Sequence, residues 1–157
     1  EAEVPYIQVN WSQYVELGPP PYGFGWDTHA HHFNMMTDRH LPIFDRAFSA
    51  FLDDLQERGL LSTTLVVCLG EFGRSPKINN LASRDHWPDC YCSLWTGGGV
   101  VPGRVIGESD ARAEQPRTEP IFPASVGATM LELAGLNSAV RAELRVLEGA
   151  RVIHELL

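Results

Sequence analysis

The stretch from Leu41 to Leu69, LPIFDRAFSAFLDDLQERGLLSTTLVVCL, holds two different hydrophobic patterns joined by a glycine. Leu41, Phe44, Phe48, Phe51, Leu52 and Leu55 recur every three or four residues, which lines one face of a helix. Pro42 suits a first helical turn, where the amide it lacks would have no intrahelical partner, and Gly59 is placed to end the helix at about Arg58. Thr64 to Leu69 (TLVVCL) is instead a short apolar run of strand length, as in a strand buried on both faces of a parallel sheet. Upstream, Val4 to Val9 (VPYIQV) reads as another short strand. Strand, long helix, strand is the βαβ unit, so the expected fold class is α/β. The sheet is expected to be mostly parallel and flanked by helices, with residues 1–157 as a single domain.

Outward from this unit the chain is less regular. Asn10 to Trp26 is rich in Gly, Pro and aromatics, and Pro19-Pro20-Pro21 rules out regular structure there. Gly70 to Asp89 is polar and punctuated by Gly and Pro, and loops of such length in compact domains are usually functional. Tyr91 to Trp95 reads as a strand ending at Gly97-Gly98-Gly99, and Arg104 to Ile106 as a brief one. Ser125 suits the N-cap of a helix to about Ala134, closed by Gly135. Ala139 to Leu157 reads as a short helix followed by a strand or turn.

Composition bounds the function. Twelve Lys and Arg against twenty Asp and Glu give a formal net charge of −8. That balance disfavours a nucleic-acid partner, because phosphate-backbone binding runs on Lys and Arg. No apolar run approaches the roughly 20 residues that span a bilayer, and Glu1-Ala2-Glu3 opens without the basic region of a signal peptide. Three cysteines make no disulfide framework. Cys68 reads as a small buried hydrophobe, whereas Cys90 and Cys92 are two apart and would share one face of a strand.

Three polar clusters carry the chemistry: Trp26-Asp27-Thr28-His29-Ala30-His31-His32, Gly70-Glu71-Phe72-Gly73-Arg74, and Arg84-Asp85-His86-Trp87-Pro88. In a parallel sheet, loops leaving the C-terminal strand ends meet at one edge, where ligands bind. Aspartate and imidazole together suit zinc, manganese and similar divalent ions. A bland reading stands beside each cluster. Glu71 could cap a turn or pair with Arg74, Gly97-Gly98-Gly99 fits a plain tight turn better than an anion cradle, and His40 and His154 read as solvated surface histidines.

The motifs Gly25-Trp26-Asp27-Thr28-His29, Gly70-Glu71-Phe72-Gly73-Arg74-Ser75-Pro76 and Arg84-Asp85-His86-Trp87-Pro88 resemble the bacterial family called domain of unknown function 1501. The likeness continues through Arg58-Gly59-Leu60-Leu61, Thr64-Leu65-Val66-Val67, Gly97-Gly98-Gly99, Arg104-Val105-Ile106-Gly107 and Val152 to Leu157. That family looks like a branch of the alkaline phosphatase and sulfatase superfamily. The resemblance implies a metal-dependent phospho- or sulfo-ester hydrolase built around two divalent ions, zinc or manganese, acting on a small anionic ester. Asp27, His29 and His86 then look like ligands of one metal and Glu71 like a ligand of the second, while Arg74 and Arg84 are candidates for holding the anionic group. It also implies export from a bacterial cytoplasm.

The match has departures. Glu71-Phe72 stands where the superfamily has Asp-His, and a Phe cannot ligate. His31 and His32 leave open which imidazole of that cluster binds. The superfamily's nucleophile comes from an earlier segment, so the chain is expected to carry the C-terminal portion of the domain, to turn over little by itself, and to form homodimers through its exposed sheet flank. The rival readings are a non-catalytic metal- or ligand-binding module derived from the same fold, and a structural zinc domain using Cys90 and Cys92.

Overall fold

The computed structural model describes residues 4–11 and 25–157. The loop expected around Pro19-Pro20-Pro21 lies outside them. Among the described residues the chain folds into α1 (His32–Met35), a π-helical turn (Met36–His40), α2 (Leu41–Glu57), β1 (Val66–Leu69), β2 (Gly73–Ile78), β3 (Arg84–Trp87), β4 (Ser93–Thr96), α3 (Pro123–Leu133) and α4 (Ser138–Leu144). It divides into two compact units, Glu1–Ala47 with Lys77–Asp85, and Phe48–Pro76 with His86–Leu157.

The amphipathic segment is a helix, as its spacing predicts. Phe44, Phe48 and Leu52 are half-buried and Leu55 is buried, while Leu41 and Phe51 at the margins of the stripe remain exposed. It ends where glycine allows: Gly59 takes a φ of 69°, its N–H bonds to Gln56 O at 3.0 Å, and Leu60 N–H returns to Leu55 O at 2.8 Å. These are the two bonds of a Schellman cap, which satisfy carbonyls the helix end leaves open.

The sheet is not the expected one. Among the described residues there are two two-stranded sheets, β1 with β4 and β2 with β3, and both are antiparallel. Val66 faces Thr96, and Leu69 faces Ser93. The mostly parallel sheet flanked by helices is therefore overturned, for a physical reason. A βαβ unit needs a strand before its helix, and Val4 to Val9 forms none. Val4, Tyr6, Ile7 and Val9 are instead 56–88% exposed. Without that partner, β1 pairs with the strand that returns after the β2–β3 hairpin. An apolar run of strand length specifies a strand, but not the direction of its neighbour. Arg104 to Ile106 is likewise not a strand.

In the second unit a small core collects Leu55, Ala128, Val152, Ile153 and Leu156. Thr129, fully buried, donates its hydroxyl to Ser125 O and accepts from Ile153 N–H, so the C-terminal segment is hydrogen-bonded onto α3. The N-cap of α3 is Phe122, not Ser125, which lies buried in the first turn of the helix. Pro123 at the first helical position carries the start forward. α4 begins at the Asn137 cap, whose side chain accepts from Ala139 and Val140 N–H. Arg141, 3% exposed, joins the two helices by donating to Glu132 Oε2 at 2.6 Å and Leu136 O at 2.8 Å.

Candidate metal centre

In the first unit, residues 25–32 form a tight run held from several sides. Thr28 N–H bonds to Trp26 O at 2.9 Å, and the Thr28 hydroxyl shares a 2.6 Å hydrogen bond with His32 Nδ1. The Ser83 hydroxyl, fully buried, donates to Thr28 O, and His31 N–H bonds to Leu81 O. Thr28 is thus turned inward while its neighbours Asp27 and His29 are exposed. His29 Nε2 and Asp27 Oδ1 lie 3.0 Å apart. At such exposure an ion pair adds little to stability, so this pair is better understood through what it can bind. The Thr28 bond fixes the His32 ring through Nδ1, and of the three histidines in this cluster it is His29 that stands against Asp27.

The third cluster lies on β3. Asn79 shapes the turn that leads into it: its Oδ1 accepts from Leu81 and Ser83 N–H, and its Nδ2 donates to Asp85 Oδ1 at 2.9 Å. In the second unit, Phe72 stacks on the His86 ring at a centroid distance of 3.9 Å and an angle of 24°. The side chain that cannot ligate therefore orients one that can. Trp87 Nε1 donates to Glu114 O at 2.8 Å, within a loop built on Asp110. The Asp110 carboxylate accepts from Arg112 and Glu114 N–H, and the Glu114 amide above all, then that of Arg112, holds it below its ordinary pKa.

Asp27 and His29 belong to the first unit and His86 to the second, and all three residues are exposed. Glu71 is also exposed, in the bend between β1 and β2. Arg74 and Arg84 are half-buried on β2 and β3. The Arg84 guanidinium lies 5.5 Å from the Phe33 ring centre, and that of Arg74 lies 5.8 Å from Phe72. Cys90 and Cys92 belong to no group of candidate metal ligands among the described residues. Burial, and then the nearby Cys92, raise the Cys68 thiol pKa. An open cavity of about 380 Å³ in the second unit, lined by Arg104, Thr118, Glu119 and Arg151 among others, contains none of these residues.

His40, read from the sequence as a solvated surface histidine, is not one. It is fully buried, with Nε2 2.9 Å from Gly25 O, in contact with the Trp26 and Trp11 rings at centroid distances of 4.9 and 5.7 Å. His154 is exposed as expected. A usable signal existed, because His40 precedes Phe44 by four residues and so shares the apolar stripe. Its Nδ1 is buried with no hydrogen-bond partner among the described residues, an arrangement that costs about 1–3 kcal/mol.

The family model for "protein of unknown function (DUF1501)" matches residues 1–157, and the chain belongs to that family. Neither the curated proteins nor the solved structures contain a match. No helix among the described residues is long and apolar enough to cross a membrane.

Proposed function

We propose that Asp27, His29 and His86 hold one divalent cation, zinc or manganese, and that this centre serves phospho- or sulfo-ester hydrolysis of the kind the alkaline phosphatase and sulfatase superfamily performs. The observation that carries the reading is the 3.0 Å approach of His29 Nε2 to Asp27 Oδ1 within the first unit, a carboxylate and an imidazole side by side. The donor set fits the group: neutral imidazole and carboxylate are good ligands for both ions, and three protein ligands are what catalytic zinc sites employ. A divalent ion bound there supplies Lewis-acid polarisation of an anionic ester. Asp27 and His29 hold their places through the Thr28 bonds, and Phe72 orients His86. Arg74 and Arg84 are the cations proposed to bind the anionic group, which a guanidinium can contact through two N–H donors.

A second reading, a metal-binding module without catalysis, draws on one specific observation. Phe72 is committed to His86, so the Glu71-Phe72 motif offers a second metal only the exposed Glu71. The two readings part on anion binding. Zinc-loaded protein is expected to bind inorganic phosphate or sulfate in calorimetry, with chelator-treated protein binding neither, and Arg84→Gln is expected to weaken that binding about tenfold, the loss of roughly one charge-assisted contact. Metal binding with no anion binding would favour the module and remove the hydrolase reading.

A further inference from the structure

His40 lies outside the candidate ligand set, yet its surroundings tie it to the loop that carries two of the ligands. The tie begins in the helix. Met36–His40 is a π-helical turn, closed by the Leu41 N–H reaching back five residues to Met36 O. Such wide turns occur mostly as single insertions in helices, frequently at functional sites. The extra residue changes the phase of the side chains around it, and here the residue at the end of the turn is the one that is fully buried. Gly25 O is a carbonyl and can only accept, so the 2.9 Å contact requires a proton on His40 Nε2. On the other side of that bond, Gly25 is itself buried, and the chain proceeds directly to Trp26, Asp27, Thr28 and His29. Trp26 packs against the His40 ring at 4.9 Å and stands edge-on to Phe44 at 6.2 Å and to Trp11 at 5.0 Å. Both ends of the ligand-bearing turn are thereby fixed within one unit: Thr28 by Ser83 and His32, and Gly25-Trp26 by His40.

We infer that His40 is a positioning residue for Asp27 and His29, acting through its Nε2–H bond to Gly25 O and its packing against Trp26. The inference rests on the metal-site reading, and it adds a buried imidazole that touches neither the ion nor the substrate. A ligand orientation held by hydrogen bonds beyond the ligands themselves is typically worth about 10–100-fold in metal affinity.

The test uses the full chain and zinc alone as probe. His40→Leu removes the donor, whereas His40→Gln keeps an N–H donor at similar reach. Calorimetry should show His40→Leu binding zinc about 10–100-fold more weakly than the parent, with His40→Gln recovering most of that loss. A merely structural role would not separate the two variants in this way. Independently of folding in any variant, a long-range ¹⁵N–¹H spectrum of the parent protein should show His40 as the Nε2-protonated tautomer, and the Nδ1 tautomer would overturn the proposal. So would equal zinc affinity in the parent and His40→Leu, or equal loss in both variants. If the parent binds no zinc while the tautomer is as expected, the metal-site reading fails and the contact to Gly25 stands as measured.

Discussion

Replacing His86 by alanine is expected to weaken zinc binding by about 100-fold or more, since groups that only orient a ligand are worth about 10–100-fold and a ligand should exceed them. The fold should hardly notice. His86 is exposed, and exposed substitutions away from special backbone or packed features usually change stability by about 0.5 kcal/mol or less. The loss of its stacking on Phe72 adds about 0.5–1.5 kcal/mol at most. Calorimetric titration of chelator-treated protein, with far-UV circular dichroism as the control for folding, separates the two effects. A change in affinity below threefold would exclude His86 as a ligand.

A large effect on stability is expected from a methyl group placed outside the candidate ligand set. Gly98→Ala puts a Cβ 2.6 Å from Leu65 N and 2.7 Å from Leu65 Cα, both backbone atoms that cannot swing aside. It also asks alanine to adopt a φ of 51°, a left-handed conformation that costs roughly 1–2 kcal/mol before any clash is counted. The chain immediately before β1 and the chain immediately after β4 would have to separate there, and Gly98 N–H would lose its 3.0 Å bond to Leu61 O. A destabilisation of about 3 kcal/mol or more follows from these mechanisms together, read as a fall in the urea midpoint at unchanged slope. Gly103→Ala is the matched control, because its φ is 74° but nothing lies within 4 Å of the added carbon. If the two substitutions cost the same, close packing at Gly98 is not what the glycine serves. The bland reading of Gly97-Gly98-Gly99 as a tight turn is sufficient, and its reason is this close approach.

These contrasts show which parts of the molecule a sequence can disclose. α2 was legible because Phe44, Phe48, Leu52 and Leu55 repeat at the helical period, and Gly59 marked its end for a conformational reason that holds in any context. β1 was legible as a strand. Its partner was not, because strand direction is decided by chain segments that compete for the same edge, and Val4 to Val9 did not enter that competition. Asp27, His29 and His86 were named from residue type and motif alone, and the stacking of Phe72 on His86 was not foreseen, since a stacking partner depends on which rings meet in space. His40 was misread for the opposite reason: imidazole chemistry drew attention to its polarity, while its four-residue offset from Phe44 already placed it on the buried side of the helix.

X-ray absorption spectroscopy of the protein loaded with one equivalent of zinc tests whether one ion is held by one carboxylate and two imidazoles of this chain. Nitrogen and oxygen scatterers are expected at about 2.0–2.2 Å, with the outer-shell multiple scattering of two imidazoles, reduced to one in His86→Ala. A first shell of oxygens alone, with no imidazole signature, or a sulfur shell near 2.3 Å from Cys90 and Cys92, would contradict it.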